Sequence, residues 1–160
     1  MCMKLGKKIA WILLILFIGM QFYRPEKNRP ADENHLTPFL TETNPSEEVL
    51  GIMKASCFDC HTDQTRYPWY NNVAPVSWWL DGHIDEGREH LNFSEWNSYS
   101  AKKKDHKLEE VIETVESAEM PLNSYTWTHE EARLTGAQRE AIMAWARQTR
   151  TLFELGDQPE

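Results

Sequence analysis

The chain has few cysteines: three among its 160 residues, at Cys2, Cys57 and Cys60. A structural zinc site takes four ligands, usually from two such pairs. Only one close pair is present, and Cys2 precedes an apolar run, so a cysteine-rich zinc site is disfavoured. The chain also lacks a strand-rich segment before Cys57. A thioredoxin-like redox pair lies between a strand and a helix, so this absence argues against that class too.

Positive charge is also scarce. The chain has 17 Lys and Arg residues against 25 Asp and Glu residues, a net charge of −8. Three of the lysines precede residue 9, which leaves 14 basic residues against all 25 acids, a net charge of −11, for the rest of the chain. Such acidity argues against nucleic-acid binding. It suits a solvated surface that attracts basic partners.

Residues 57–61 read Cys-Phe-Asp-Cys-His, two cysteines three apart with a histidine directly after the second. A disulfide across two intervening residues would be strained. The pattern is instead typical of c-type haem attachment. Cys57 and Cys60 would each form a thioether with a vinyl group on one haem edge, and a short helical turn would place the His61 imidazole beneath the iron. The sequence therefore predicts one covalent haem c with His61 as an axial ligand.

Residues 1–23 combine a basic head with an apolar run that starts at residue 9. This combination is typical of a secretory signal or a membrane anchor. The run is short for a span of about 20 residues, but Lys7 and Lys8 could snorkel towards the headgroups. No small-residue cleavage site follows, so we expect an uncleaved N-terminal membrane-anchor helix. Three basic residues lie on each side of the run, and they predict no orientation.

Residues 24–45 contain four prolines among polar residues and show no hydrophobic periodicity. Such composition predicts a linker. The remaining residues, 46–160, are enough for one small domain.

The pattern within that domain is helical almost throughout. Asn44, Pro45 and Glu47 have the chemistry of a helix start. Thr135 and Gln138 form a capping box for the last helix, whose expected apolar face consists of Ile142, Trp145, Ala146, Thr149 and Leu152. Helices are predicted over 45–56, 76–90, 100–119 and 136–152, with short turns at 94–96 and 128–131.

The order of these elements resembles a class I cytochrome c, in which the first and last helices cross and a methionine from an intervening loop is the second axial ligand. A longer set of motifs is similar to the bacterial haem-binding domain family of small membrane-anchored proteins. The motifs that carry this similarity lie within about residues 40–150. They are Cys57 to His61, Tyr67-Pro68-Trp69-Tyr70, Ala74-Pro75-Val76-Ser77-Trp78-Trp79, His83, Glu86-Gly87-Arg88, Asn92-Phe93-Ser94 and Glu119-Met120-Pro121-Leu122.

The resemblance implies an all-α fold: a cytochrome c-like helical domain that encloses a covalently attached haem, preceded by the N-terminal membrane-anchor helix. One difference concerns the first helix of the domain. Class I cytochromes typically have a glycine and an aromatic residue at the positions that Val49 and Met53 occupy here. We therefore expect a modified helix crossing, in which Gly51 and Trp145 meet.

Met120 is the preferred sixth ligand of the iron. Its thioether is a soft ligand that raises the reduction potential, and Pro121 stiffens the backbone beside it. Without the haem motif, a core methionine would be the expected role. His83 and His90 lie two helical turns apart and share a face, but a polar helix surface is the simpler interpretation for them. The other competing ligands are His106, His129, Met53 and Met143.

Arg66, Tyr67 and Trp69 follow the attachment motif closely. Haem propionates are anionic and need donors, which an Arg fork, a Tyr hydroxyl and a Trp indole can supply. We therefore expect these three residues, and Arg88 as a further candidate, to bind the haem. The alternative is that Trp69, together with Trp78 and Trp79, walls the haem.

Two functions remain open from the sequence. The first is one-electron transfer, or redox sensing, by an iron with ligands on both sides. The second is a haem enzyme such as a peroxidase, with a displaceable sixth ligand and a nearby acid–base group from His83 or His90. The Met-Pro pair favours electron transfer with an unidentified redox protein partner. Because c-type attachment in bacteria takes place outside the cytoplasm, the resemblance implies a membrane-anchored, periplasmic domain.

Overall fold

The computed structural model describes residues 2–154 and the side chains of residues 4–153. Those residues form helices joined by turns, with no strand anywhere in 2–154, so the all-α prediction is confirmed. The α-helices are α1 Cys2–Met20, α2 Thr37–Thr43, α3 Glu47–Ser56, α4 Phe58–His61, α5 Val76–His90, α6 Ala101–Glu116, α7 Asn123–Thr126 and α8 Gly136–Glu154. Short 3-10 helices cover Trp69–Asn72, Phe93–Ser98 and Glu130–Ala132.

The expected N-terminal membrane anchor is wrong. Within residues 2–154, no helix is both long enough and apolar enough to cross a membrane. The reason lies in α1 itself, where Lys4, Lys7 and Lys8 occupy the first two turns. Its uninterrupted apolar part, 9–20, would be roughly 18 Å long at about 1.5 Å per residue, against a hydrocarbon core of about 30 Å.

The segment predicted as a linker, 24–45, contains α2 and contributes to the core. Phe39 is 0% exposed. Its ring centroid lies 4.6 Å from that of Phe93, 5.3 Å from that of Trp96 and 5.9 Å from that of Trp145. Because α2 has seven residues, it is too short to show a helical periodicity.

The residues after α1 bind to the segment that precedes α5. The Gln21 side chain donates to the Ala74 carbonyl at 3.2 Å and accepts from the Ala74 N–H at 2.9 Å. The Trp78 indole donates to the Tyr23 carbonyl at 3.0 Å, and the two rings meet edge to face. The Ala-Pro-Val-Ser-Trp motif of residues 74–78 therefore holds the N-terminal segment in place.

The start of α3 differs by two residues from the prediction. Ser46 is the N-cap, and its hydroxyl accepts from the Val49 N–H at 3.3 Å. Asn44 instead ends α2 with a φ of 40°, in the left-handed region that Asn tolerates better than most residues. Residues 44–46, which begin with this asparagine, thus separate α2 from α3.

The core lies mainly between α6 and α8, and α3 also contacts α8. Leu108 and Val115 of α6 are buried. On α8, Ile142, Trp145, Ala146 and Thr149 are buried as predicted, but Leu152 is 53% exposed and Phe153 takes the buried position.

The expected contact between Gly51 and Trp145 is wrong. Gly51 is exposed, and a Cβ built on it would meet nothing within 4 Å. The Trp145 indole instead donates to the Thr43 carbonyl at 3.3 Å, at the end of α2.

Candidate functional site

A cavity of about 520 Å³ opens among α3, α4, α5, α6, α8 and the segment 119–125. Its volume lies within the range of about 300–1,000 Å³ that is usual for ligand sites. Cys57, Cys60, His61 and Met120 all line it, although Met120 is 60 residues beyond Cys60 in the chain. The fold therefore brings together two thiols, an imidazole and a thioether, which is a donor set suited to haem iron.

The cysteine–histidine motif forms a single turn at the end of α3. The Cys57 N–H donates to the Met53 carbonyl at 2.8 Å, which closes the last turn of α3. The His61 N–H then donates to the Cys57 carbonyl at 3.0 Å, so α4 is one complete turn. Both cysteines and the histidine consequently point towards one cavity from one compact piece of backbone.

The His61 ring is oriented by a backbone carbonyl. Its Nδ1 lies 3.0 Å from the Leu91 oxygen, just beyond the end of α5. Because a carbonyl only accepts, Nδ1 carries the proton and Nε2 keeps its lone pair for a metal. Burial lowers the pKa of His61, and the bond to the Leu91 carbonyl partly opposes that shift. The neutral imidazole is the form that ligates iron.

The two motif thiols are protonated at neutral pH. Burial, and then the neighbouring Cys60, raises the pKa of Cys57 to about 12. Burial, and then the Asp59 carboxylate, raises the pKa of Cys60 to about 11. Redox-active Cys-x-x-Cys pairs have a lowered thiol pKa, so these shifts argue against a thioredoxin-like role. Among the described residues, Cys57 and Cys60 are both free thiols.

Met120 reaches the cavity from the loop after α6. Ala118 has a φ of 62°, in the left-handed region, which ends α6 and turns the chain back. The Met120 N–H then donates to the Thr114 carbonyl at 3.0 Å. This contact holds the methionine backbone on the last turn of α6, beside the cavity. The helix ends at Glu116, three residues earlier than predicted.

One of the comparisons with known proteins identifies a family. The family model described as the haem-binding domain matches residues 15–148. This chain belongs to the haem-binding domain family. Haem is therefore its ligand, and the donor set of the cavity fits that group. Comparison with curated proteins found no significant match, and comparison with solved structures found none either.

Arg88, Asn92 and Ser94 hold the loop that follows His61. The Arg88 guanidinium donates to the Asp63 carboxylate at 2.8 Å, and the Asn92 side chain donates to the same oxygen at 2.9 Å. The Ser94 hydroxyl accepts from the Asp63 N–H at 2.8 Å. Arg88 and Asn92 flank Leu91, so the same contacts fix the carbonyl that orients His61. The Arg88 side chain thus stabilises the loop through Asp63, and it does not line the cavity.

Arg66, Tyr67 and Trp69, predicted to bind haem, are not among the residues that line the cavity. The Arg66 Nε donates to Asp59 at 3.0 Å. The Tyr67 hydroxyl accepts from the Asn28 N–H at 2.6 Å. Trp69 is 79% exposed. Each of the first two side chains is taken up by a contact that the sequence pattern did not indicate, and the third faces solvent.

The walls of the cavity use other aromatic and charged side chains. Phe93, Tyr125 and Trp145 are its aromatic lining residues, whereas Trp78 and Trp79 do not line it. Lys107 is the one Lys or Arg among its described lining residues, with Nζ 2.7 Å from Glu110 Oε2. An ammonium at this position could pair with an anionic haem propionate.

Three of the six competing ligand candidates line the cavity in the structure, and three do not. His83, His90 and Met53 line the cavity, whereas His106, His129 and Met143 do not. His106 is exposed and lies beside Glu109 and Glu110. His129 stacks on Tyr125 with ring centroids 4.2 Å apart.

Sequence reasoning missed Asp59, Gly87, Leu91, Lys107 and Tyr125. Of these residues, Gly87 gave a usable signal in the sequence. A glycine inside a helix costs about 1 kcal/mol of stability relative to alanine, so it usually has a packing reason. Leu91 acts through its backbone, which no side-chain pattern can indicate. Lys107 and Tyr125 reach the cavity only through the packing of α6 and α7.

Proposed function

We propose that this chain carries haem covalently through Cys57 and Cys60 and serves in one-electron transfer. The observation that carries the proposal is that His61 and Met120 line one cavity together with both cysteines. When bound, haem supplies the Fe(III)/Fe(II) couple. If His61 and Met120 both held the iron, no position would remain for a substrate, as in an electron carrier rather than an enzyme.

The cysteines and His61 would hold the haem, and Met120 would set its reduction potential. Cys57 and Cys60 lie on a rigid turn, so two thioether bonds there would fix the haem edge relative to α3 and α4. The Leu91 carbonyl holds the His61 tautomer that offers Nε2 to the iron. Met120 would supply a neutral, soft thioether, which would favour the ferrous state and raise the reduction potential.

A haem enzyme such as a peroxidase is the second candidate, and one observation favours it. His83 and His90 line the cavity, and an imidazole near an open iron position is a suitable acid–base group. His83 Nδ1 lies 3.0 Å from the Trp79 carbonyl, which leaves its Nε2 free to move a proton. This function requires that Met120 does not occupy the sixth position.

Covalent attachment is tested by extraction. Haem should stay with the unmutated chain through acid–organic extraction, since thioether bonds survive it. Changing Cys57→Ala and Cys60→Ala together should release all haem into the organic phase. Cys2→Ala is the matched control, because it removes the cysteine outside the motif and should leave the haem attached. Complete extraction from the unmutated chain would contradict the proposal.

The proposed cellular compartment of the chain follows from covalent haem attachment. Because c-type attachment in bacteria takes place outside the cytoplasm, we place the haem-loaded chain in an extracytoplasmic compartment. Fractionation of cells that express the full chain should recover covalent haem in the extracytoplasmic fraction. Recovery of the haem-loaded chain in the cytosol alone would contradict this location.

A further inference from the structure

Asp59 is a buried carboxylate inside the attachment turn. It lies between the two motif cysteines, and its side chain is 7% exposed. Its Oδ1 accepts from the N–H and the Nε of Arg66, both at 3.0 Å. Its Oδ2 accepts from Arg66 Nη2 at 3.1 Å and from the Tyr125 hydroxyl at 2.7 Å. Both oxygens are thus fully satisfied, as a buried charge requires.

The two partners of Asp59 come from different parts of the chain. Arg66 is seven residues away and belongs to the loop that follows the turn. Tyr125 is 66 residues away, on α7, and α7 directly follows the segment that contains Met120. The bond from Tyr125 to Asp59 therefore ties the methionine segment to the turn that holds both cysteines and His61.

The Met120 segment is consequently held at two points. At one end the Met120 N–H bonds to the Thr114 carbonyl on α6. At the other end the Tyr125 hydroxyl bonds to Asp59, while the Tyr125 ring stacks on His129 at 4.2 Å with planes 15° apart. Met120 and Tyr125 both line the cavity. A shift of α7 would move the methionine, because only four residues separate the two side chains.

We propose that Tyr125 is a positioning residue for Met120, and that its bond to Asp59 keeps the thioether at the iron. This inference rests on the proposed ligation by Met120. A hydrogen bond to a buried carboxylate is stronger than one between neutral groups, and its loss leaves part of the Asp59 charge without a donor. Without it, the methionine segment competes less well with external ligands for the sixth position.

Tyr125→Phe tests this proposal in the haem-loaded full chain, with imidazole as the probe. The change removes one hydroxyl and keeps the ring that stacks on His129. The apparent Kd for imidazole should fall by about tenfold or more, which corresponds to about 1.4 kcal/mol. Tyr70→Phe is the matched control, because the Tyr70 hydroxyl bonds to Thr128 at 3.0 Å. It should leave the Kd within about twofold, since an exposed hydrogen bond contributes little.

A double variant separates positioning from general damage. In a Met120→Leu background no sulfur holds the sixth position, so adding Tyr125→Phe should leave the imidazole Kd unchanged. An equal effect of Tyr125→Phe in both backgrounds would overturn the proposal. The proposal would also be overturned if the unmutated chain has the near-infrared band of sulfur-to-iron ligation and Tyr125→Phe alone leaves the imidazole Kd unchanged. Absence of that band from the unmutated chain would instead overturn ligation by Met120.

Asp59→Asn is the second variant if Tyr125→Phe does not load haem. It removes the charge and keeps an oxygen that accepts from Tyr125, so it should lower the imidazole Kd by a smaller factor than loss of the hydroxyl. If neither variant loads haem, the network serves folding or attachment, and the role assigned to Tyr125 is overturned.

Discussion

Gly87 lies directly against the backbone of Cys60. A Cβ built on Gly87 would be 2.8 Å from the Cys60 carbonyl oxygen, closer than real Cβ contacts come, and 3.0 Å from the Cys60 Cβ, which is tighter than most real contacts. Helix α5 therefore touches the attachment turn backbone to backbone, which only glycine permits. The same approach places Leu91, one turn further along, where its carbonyl orients His61.

Gly87→Ala should destabilise the haem-loaded protein by about 1–3 kcal/mol, because an added methyl group forces α5 away from rigid backbone. Gly82→Ala is the matched control on the same helix, where a Cβ would meet nothing within 4 Å. It should stabilise the protein by up to about 1 kcal/mol through helix propensity. Urea unfolding, monitored by far-ultraviolet circular dichroism, measures the unfolding free energy of both variants. Equal effects of the two changes would show that the close approach is not maintained in solution.

Met120→Leu should abolish the weak near-infrared charge-transfer band of the oxidised protein and lower its reduction potential. Leucine keeps the volume of the side chain but has no sulfur to favour the ferrous state. The same change at Met53, the other described methionine that lines the cavity, should preserve both properties. Optical spectra and potentiometric titration check the pair. Loss of the band in Met53→Leu alone would assign the ligand to α3.

The haem-free chain should react slowly with iodoacetamide at pH 8 as long as it is folded. With a pKa of about 11 for Cys60 and about 12 for Cys57, no more than about 0.1% of either thiol is thiolate at that pH. Mass spectrometry of a Cys2→Ser variant counts only the motif thiols, and urea should accelerate their alkylation.

The same pKa shifts give a pH dependence of stability. A raised pKa means that the folded state holds its protons more tightly than the unfolded state. The resulting stabilisation is fully present below pH 9.0, the ordinary thiol value, and is lost as the pH rises towards 11 and 12. The urea midpoint of the haem-free Cys2→Ser chain should fall over that window. The decrease should be smaller in a variant that also carries Cys57→Ala and Cys60→Ala.

Phe39→Ala should cost about 3–5 kcal/mol of unfolding free energy, the usual cost of removing a buried phenylalanine. The side chain is 0% exposed, among the rings of Phe93, Trp96 and Trp145. Phe22→Ala should change stability by less than about 0.5 kcal/mol, because Phe22 is 86% exposed. Chemical unfolding of both variants is the measurement. A cost below about 1 kcal/mol at Phe39 would mean that the segment 24–45 is a linker after all.

The one-turn arrangement of Cys57, Cys60 and His61 could be predicted from sequence because it is local. Cys57, Cys60 and His61 lie within five residues, and a single helical turn decides their arrangement. The same holds for helix starts such as Ser100 and Thr135, whose hydroxyls accept from N–H groups three residues later. The all-helical class followed from hydrophobic periodicity, which is also a local property.

The membrane anchor was misjudged for a different reason. The apolar composition of residues 1–23 is also a local signal. It predicts a membrane span only if the apolar part is long enough, and three lysines inside α1 shorten that part. The segment 24–45 contains one short helix whose buried residues are Phe39 and Thr43, and its proline and polar residues showed no periodicity from which that helix could be predicted.

The sequence by itself determined the helical class and the one-turn arrangement of Cys57, Cys60 and His61, because each depends on residues within a few positions of one another. Only the tertiary structure decided which distant groups reach that turn. It brought Met120 into the cavity, gave the Leu91 carbonyl to His61 and the Tyr125 hydroxyl to Asp59, and kept Arg66, Tyr67 and Trp69 off the cavity wall. The physical reason is that these contacts depend on how α5, α6 and α7 pack, and packing is set by shape and burial summed over the whole chain rather than by any short pattern.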